Sequence, residues 1–160
     1  MKNSISIREY ETKDFEEIIN LLRLNTPEYF AAEEEADFIN YLKNERELYY
    51  VLLFDEVIIG CGGINFEENK TIGKISWDIL HPEYQGKGLG SQLLKHRIQK
   101  LQSMDAVAKI MVRTSQVAYK FYEKHGFQLV EYIKDYWAEG FDMNKMEYTQ
   151  DQLEKNSQKS

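Results

Sequence analysis

Only one cysteine, Cys61, and two prolines occur in 160 residues. A single thiol cannot close an internal disulfide or supply a cysteine metal cluster, and the scarcity fits a reducing compartment. With so little proline and no glycine- or serine-rich stretch, nothing reads as an interdomain linker. Long apolar runs are missing too. None reaches the length of a membrane span, and the opening MKNSISIREYETKD holds none long enough for a signal peptide. A cytoplasmic protein with no membrane partner is expected. Basic residues are outnumbered, 20 against 27 acids, for a net charge of −7. Nucleic acid is therefore a poor partner, because phosphate binding favours a basic face, whereas a cationic partner suits the charge.

What is present is the make-up of a globular chain, 42% hydrophobic and 13% aromatic, at about the length of one ordinary domain. One domain over 1–148 is expected, with 149–160 a polar, fraying tail. ISIREY (5–10) alternates as a short strand. Thr12 can cap a helix carrying Phe15, Ile18, Ile19 and Leu22, which Asn25, Thr26 and Pro27 end. A second helix is expected over 33–43, and its acidic run Glu33-Glu34-Glu35 reads as a solvated start near the positive end of the dipole. LYYVLLF (48–54), VIIGCGGINF (57–66) and TIGKISWDIL (71–80) read as a meander of three strands. A helical stripe follows through Leu89, Leu93, Leu94, Ile98 and Leu101. A strand at 106–112, a helix from Gln116 to His125, and strands at 127–136 and 142–148 joined through Trp137 to Phe141 complete the order βααβββαβαββ. The fold class is α/β, a mixed sheet with helices on both faces.

The stretch QGKGLG (85–90) places three glycines within five positions where a strand gives way to a helix. Such a cluster lets backbone N–H groups surround an anion at a helix N-terminus, which points to a phosphate. The Walker pattern fails, since His81 stands where its first glycine belongs and Gly88 where its hydroxyl belongs. The dinucleotide fingerprint fails because Ser91 replaces its last glycine. A tight turn needing unusual dihedrals is the plainer alternative. What fits is Q-x-x-G-x-G after His81-Pro82, which resembles the coenzyme A pyrophosphate loop of the GNAT superfamily of acyl-CoA N-acyltransferases. The segment from Ala118 through Tyr122-Glu123-Lys124 to Gly126-Phe127 is similar to the superfamily's A-x-x-x-Y-E-K-x-G-F, and the element order agrees over roughly residues 4–148.

The resemblance implies a GNAT-like N-acetyltransferase fold and acetyl-CoA as cofactor. It implies that the diphosphate is held by Gln85, Gly86, Lys87, Gly88, Leu89, Gly90 and Ser91, with Lys87 adding charge. In this superfamily the strand before the loop carries a bulge and the pantetheine arm enters beside it. Asp78, Ile79 and Leu80 match that strand, and a backbone amide near them would polarise the thioester, an effect worth about 3 kcal/mol for a pre-aimed donor. Core packing is the plainer role for Ile79 and Leu80, and a hydrogen-bonded structural role the plainer one for Asp78.

Tyr122 matches the tyrosine that acts as general acid in relatives. A phenol with a reference pKa of about 10 stays protonated at neutral pH and can donate to a departing thiolate. Its alternative is a core aromatic beside Ala118 and Phe121. The asparagine common earlier in that segment has no clear counterpart, and Ser115 and Gln116 compete for its contact to the cofactor. No general base stands out among Lys74, Ser76, Ile110 and Met111. A site without a strong base suits an α-amine, neutral in about one molecule of ten at pH 7, better than a lysine-type amine.

Cys61 reads as a small buried residue rather than an acyl-carrying nucleophile. His81, His96 and His125 lack ligand spacing, so no metal is expected. Tyr132, Tyr136, Trp137 and Phe141 gather near the final hairpin, as pocket wall or as cover for the sheet. The expected function is transfer of an acetyl group to a small-molecule amine or a peptide N-terminus. The alternative is a catalytically silent acyl-CoA-binding sensor. An acetylating toxin acting on tRNA would need a basic face that the composition lacks. The composition leaves a homodimer open.

Overall fold

The computed structural model describes residues 4–148. The tail expected over 149–160 lies outside the described residues. The elements run β1 (Ile5–Glu9), α1 (Phe15–Leu24), α2 (Glu34–Asn40), β2 (Leu48–Phe54), β3 (Val57–Glu67), β4 (Ile72–Leu80), α3 (Leu89–Gln102), β5 (Lys109–Ser115), α4 (Tyr119–Lys124), β6 (Phe127–Ala138) and β7 (Phe141–Tyr148). This is the order the sequence predicts. The seven strands form one mixed sheet in the order β1-β2-β3-β4-β5-β7-β6. β4 and β5 are parallel, pairing Ile72–Ile75 with Lys109–Val112, while β1–β2, β2–β3, β5–β7 and β6–β7 are antiparallel.

Several boundaries differ from expectation, each for a local reason. Thr12 does not cap the first helix. It opens a 3-10 turn, Thr12–Asp14, and the Asp14 carboxylate accepts the Glu11 amide at 2.9 Å. β5 starts at Lys109 rather than 106, because Ala106 and Ala108 are exposed and lie before the ladder. α4 spans six residues rather than ten. The hairpin turn shrinks to Glu139-Gly140, with Gly140 at φ +82°, and Trp137 and Phe141 join the strands. The acidic run is not a uniformly solvated start either. Glu34 is buried, its carboxylate accepting the Ala31 amide at 2.7 Å where the incoming chain would leave an N–H unpaired. Glu35 is paired with Arg23 at 2.7 Å.

The chain divides into two compact units. Among the described residues one runs to Asn65 and includes Ser76–Arg97; the other holds Phe66–Ile75 and the chain from Ile98 to Tyr148. In the first unit, successive residues of a strand point to opposite faces, and neighbouring residues show which helix covers each. Tyr49 packs against Tyr41, in the π-helical turn that continues α2, with ring centroids 5.8 Å apart. Tyr50, one residue on, meets His96 of α3 at 5.0 Å. The α2 side is filled by Ile18, Leu22, Phe38 and Tyr41 together with Val51, Cys61 and Ile79, with Trp77 packed against them. Cys61 is fully buried, and its loss of solvent pushes the thiol up to about 12, so it packs as a small apolar group rather than a nucleophile.

In the second unit β7 lies between β5 and β6. β6, at the sheet edge, is exposed along Gln128–Tyr136, including Leu129, Val130, Tyr132, Ile133 and Tyr136. Its register with β7 shifts between Leu129 and Glu131 and again between Ile133 and Ala138, the second break containing Asp135 at φ +54°.

Two stability tests follow from this packing. An added Cβ at Gly63 would stand 2.5 Å from the Tyr49 ring and 2.8 Å from the Tyr41 hydroxyl, so Gly63→Ala is expected to cost about 2 kcal/mol in urea unfolding, as overpacked core sites do. The Asp14 carboxylate takes both arms of Arg8 at 2.8 and 2.9 Å, and that pairing holds its pKa below the usual range. Its contribution is complete above the unfolded-state value of about 3.9 and fades as pH falls through the lower folded value. Asp14→Asn should accordingly flatten the decline of the urea midpoint between neutral and strongly acidic pH.

Candidate functional site

The glycine loop is positioned from both ends. On its N-terminal side His81 caps a short 3-10 turn, Pro82–Tyr84, its Nδ1 accepting the Glu83 amide at 3.1 Å. The Gln85 side-chain oxygen accepts the Tyr29 hydroxyl at 2.9 Å, which anchors the loop to the segment after α1. On the C-terminal side Leu89, buried, opens α3, and Gly90 and Ser91 lie half-buried in its first turn. Between these anchors Gly86, Lys87 and Gly88 are exposed. The Lys87 ammonium lies 5.4 Å over the Tyr84 ring.

Gly86 and Gly88 adopt φ +79° and +78°, and an added Cβ at either would meet nothing within 4 Å. Left-handed backbone accounts for both glycines, so the plainer reading of the turn is correct as far as it goes. Among the described residues no atom stands beside either position, however, and the first turn of α3 carries no acidic side chain. An open glycine loop at the positive end of a 14-residue helix is chemically suited to a diphosphate.

The strand leading into the loop is irregular. Trp77 has φ +48°, and both Ser76 and Trp77 reach Tyr41, Ser76 through its hydrogen bond with the Tyr41 hydroxyl and Trp77 through a ring contact at 6.1 Å. Two adjacent residues on one side break the alternation, as a bulge does. Beyond it the chain is tied down. The Trp77 carbonyl accepts the Tyr49 hydroxyl at 2.9 Å, the Leu80 carbonyl accepts the Asn25 amide at 3.1 Å, and the His81 amide donates to Ile59 at 2.7 Å. Ile79 is buried in the core and Leu80 half-buried. The Asp78 carboxylate is paired with Arg97, so its side chain is committed to structure.

Sequence reasoning missed Arg97. The signal was available, since Arg97 follows Leu93 by four and Leu94 by three and therefore sits on the apolar stripe of α3. Tyr29 and Asn25 gave no comparable signal.

In the second unit Tyr122 is 3% exposed, its ring edge-on to Phe121 at 5.1 Å and to Phe127 at 5.7 Å. Ser115 ends β5 opposite Met143. Gln116, its rival in the sequence, is committed elsewhere. Its amide donates to Gly140 at 2.6 Å and accepts from Asp142 at 2.8 Å, clamping the β6–β7 turn. Tyr132 also serves that hairpin, donating to the Asp142 carboxylate. Among the described residues no group of three or more His, Cys, Asp or Glu is placed to hold a metal ion, and no helix is long and apolar enough to cross a membrane.

Comparison with known proteins agrees with this architecture. The chain is 26% identical over 154 residues to a protein of Saccharolobus solfataricus named N-alpha-acetyltransferase, covering 86% of this chain and 88% of that one. A second match, 27% identical over 97 residues, is to the mouse cysteine-rich protein 2-binding protein, of which the aligned region spans only 12%. The fold is similar to that of the ribosomal-protein-S18-alanine N-acetyltransferase of Escherichia coli, with TM-score 0.74, 20% identity and coverage of 90% and 92%. It is also similar to an aminoglycoside 6'-N-acetyltransferase solved with coenzyme A, with TM-score 0.72, 15% identity and coverage of 89% and 95%. The sequence pattern of the acetyltransferase (GNAT) family matches residues 15–127, and the chain belongs to that family.

Proposed function

We propose that this protein is an acetyl-CoA-dependent N-acetyltransferase that moves an acetyl group directly onto a primary amine, with a peptide N-terminus favoured over a small-molecule amine. The observation that carries this is the loop at 85–90, whose paired left-handed glycines open onto unfilled space at an acid-free helix start, in a member of an acetyltransferase family. The relative named N-alpha-acetyltransferase supports the choice of acceptor. A cytoplasmic setting is part of the same proposal.

Coenzyme A supplies an acetyl thioester on a diphosphate-bearing arm. In this reading the amides of Gly86–Gly90, with Gln85 and Ser91, hold the diphosphate, and Lys87 adds one exposed charge. The main chain at Asp78–Leu80 would supply the N–H that polarises the thioester carbonyl, and Ser115 would offer a hydroxyl to the arm. Tyr122 would supply from its Oη the proton for the departing sulfur and regain one from solvent. The amine's own proton leaves to water, as no carboxylate is assigned as base.

A second reading, a silent acyl-CoA sensor, is favoured by one observation. Tyr122 is buried among Phe121 and Phe127, as a purely structural aromatic would be.

Thiol release from acetyl-CoA, measured against N-terminal peptides and small amines, separates the two. Turnover with at least one N-terminal peptide, falling about a hundredfold in Tyr122→Phe with coenzyme A affinity unchanged, is the expected result. Coenzyme A binding with no turnover on any amine would establish the sensor. At the loop, Gly88→Ala forces a Cβ into left-handed backbone at a cost of about 1–2 kcal/mol. Calorimetry with coenzyme A should show roughly tenfold weaker binding for that variant, and a smaller loss for Gly88→Asn, which tolerates the conformation better.

A further inference from the structure

We propose that Arg97 is a positioning residue for acyl transfer, fixing the main chain at Asp78–Leu80 relative to the helix that begins at the glycine loop. The inference rests on the acyltransferase reading above and assigns a role that the reading leaves open.

Arg97 has no exposed surface. Its guanidinium ties its own helix to two strands of the first unit, with Nε donating to the Leu93 carbonyl one turn back in α3 at 3.2 Å, Nη1 to the Gly63 carbonyl of β3 at 3.1 Å, and Nη2 to the Asp78 carboxylate of β4. Lysine could not reproduce this fork, since it lacks the planar array of donors.

Stability alone does not account for the pair. Exchanging a buried ion pair for apolar groups of similar size is often neutral or stabilising, whereas orphaning one partner is costly. The fold makes a second concession to the same contact. An added Cβ at Gly62 would collide with Asp78 Oδ1 and stand 2.7 Å from Arg97 Nη1, so β3 carries glycine in its interior, where glycine weakens a strand. A costly charge and a weakened strand both serve to place one side chain of β4.

That side chain belongs to the residue just past the bulge at Trp77. The Trp77 and Leu80 carbonyls are tied by Tyr49 of β2 and by Asn25 just past α1, and Arg97 supplies the tie to α3. A donor aimed at a developing charge works only when its geometry is set beforehand, and a displacement of about 1 Å can cost about a hundredfold in rate.

The test compares the full chain with Arg97→Met/Asp78→Leu, with Arg97→Lys, and with Arg8→Met as a control that breaks an ion pair remote from the loop. In the double variant the melting temperature and the coenzyme A affinity should stay close to wild type, within about threefold for the affinity, while kcat falls about a hundredfold. Arg97→Lys should lower kcat at least tenfold with KM for acetyl-CoA unchanged, whereas Arg8→Met should lower the melting temperature and leave kcat intact. Wild-type kcat in a folded double variant would overturn the proposal. If that variant does not fold, Arg97→Lys with wild-type kcat would do the same, as would losses of kcat and affinity that simply track melting temperature. A wild-type protein that neither binds coenzyme A nor acetylates any amine would instead bring down the acyltransferase reading, and this inference with it.

Discussion

At and just past the break in β4 two main-chain carbonyls, those of Trp77 and Leu80, are satisfied by side chains from other segments of the first unit. A regular strand pairs its N–H and C=O groups with neighbouring backbone, but a bulge interrupts that pattern and leaves groups that must find other partners. Here Tyr49 and Asn25 take the carbonyls of Trp77 and Leu80, and Arg97 takes the side chain of Asp78. Trp77 itself packs into an aromatic cluster, with Phe38 at 4.8 Å and Phe30 stacked at 6.1 Å. In an apolar setting such hydrogen bonds are stronger and their loss more costly. The irregular stretch is therefore tied to α3, to β2 and to the segment just past α1.

The comparisons and the physical reading support each other at different levels. Identities of 15–20% to the solved structures establish a shared fold and nothing finer. Proteins of this architecture are named for acceptors as different as a ribosomal protein and an aminoglycoside, so the fold by itself selects no acceptor.

The sequence made some features plain and concealed others for physical reasons. Element order and the apolar stripe of α3 were readable because periodicity is a local property. Leu89, Leu93, Leu94, Ile98 and Leu101 are all buried. The glycine loop was readable because left-handed backbone at a strand-to-helix junction leaves few residue choices. The ends of α4 and β5 were not, because helix and strand termini depend on partners distant in sequence, such as Gln116 reaching Gly140 and Asp142. Glu34 looked like one of three surface acids, yet an unpaired Ala31 amide draws it inward. Tyr29 meeting Gln85 across 56 positions is a product of folding that no window of the chain contains.

The breaks along β6 have a consequence for how the molecule behaves in company. An outermost strand bearing Leu129, Val130, Tyr132 and Ile133 in the open would ordinarily be an adhesive rim, ready to zip onto a like strand and seed fibrils. Two slips of register and the twist at Asp135 spoil the even spacing that such zipping requires. The rim keeps its greasy side chains while denying a neighbouring chain a continuous ladder to climb.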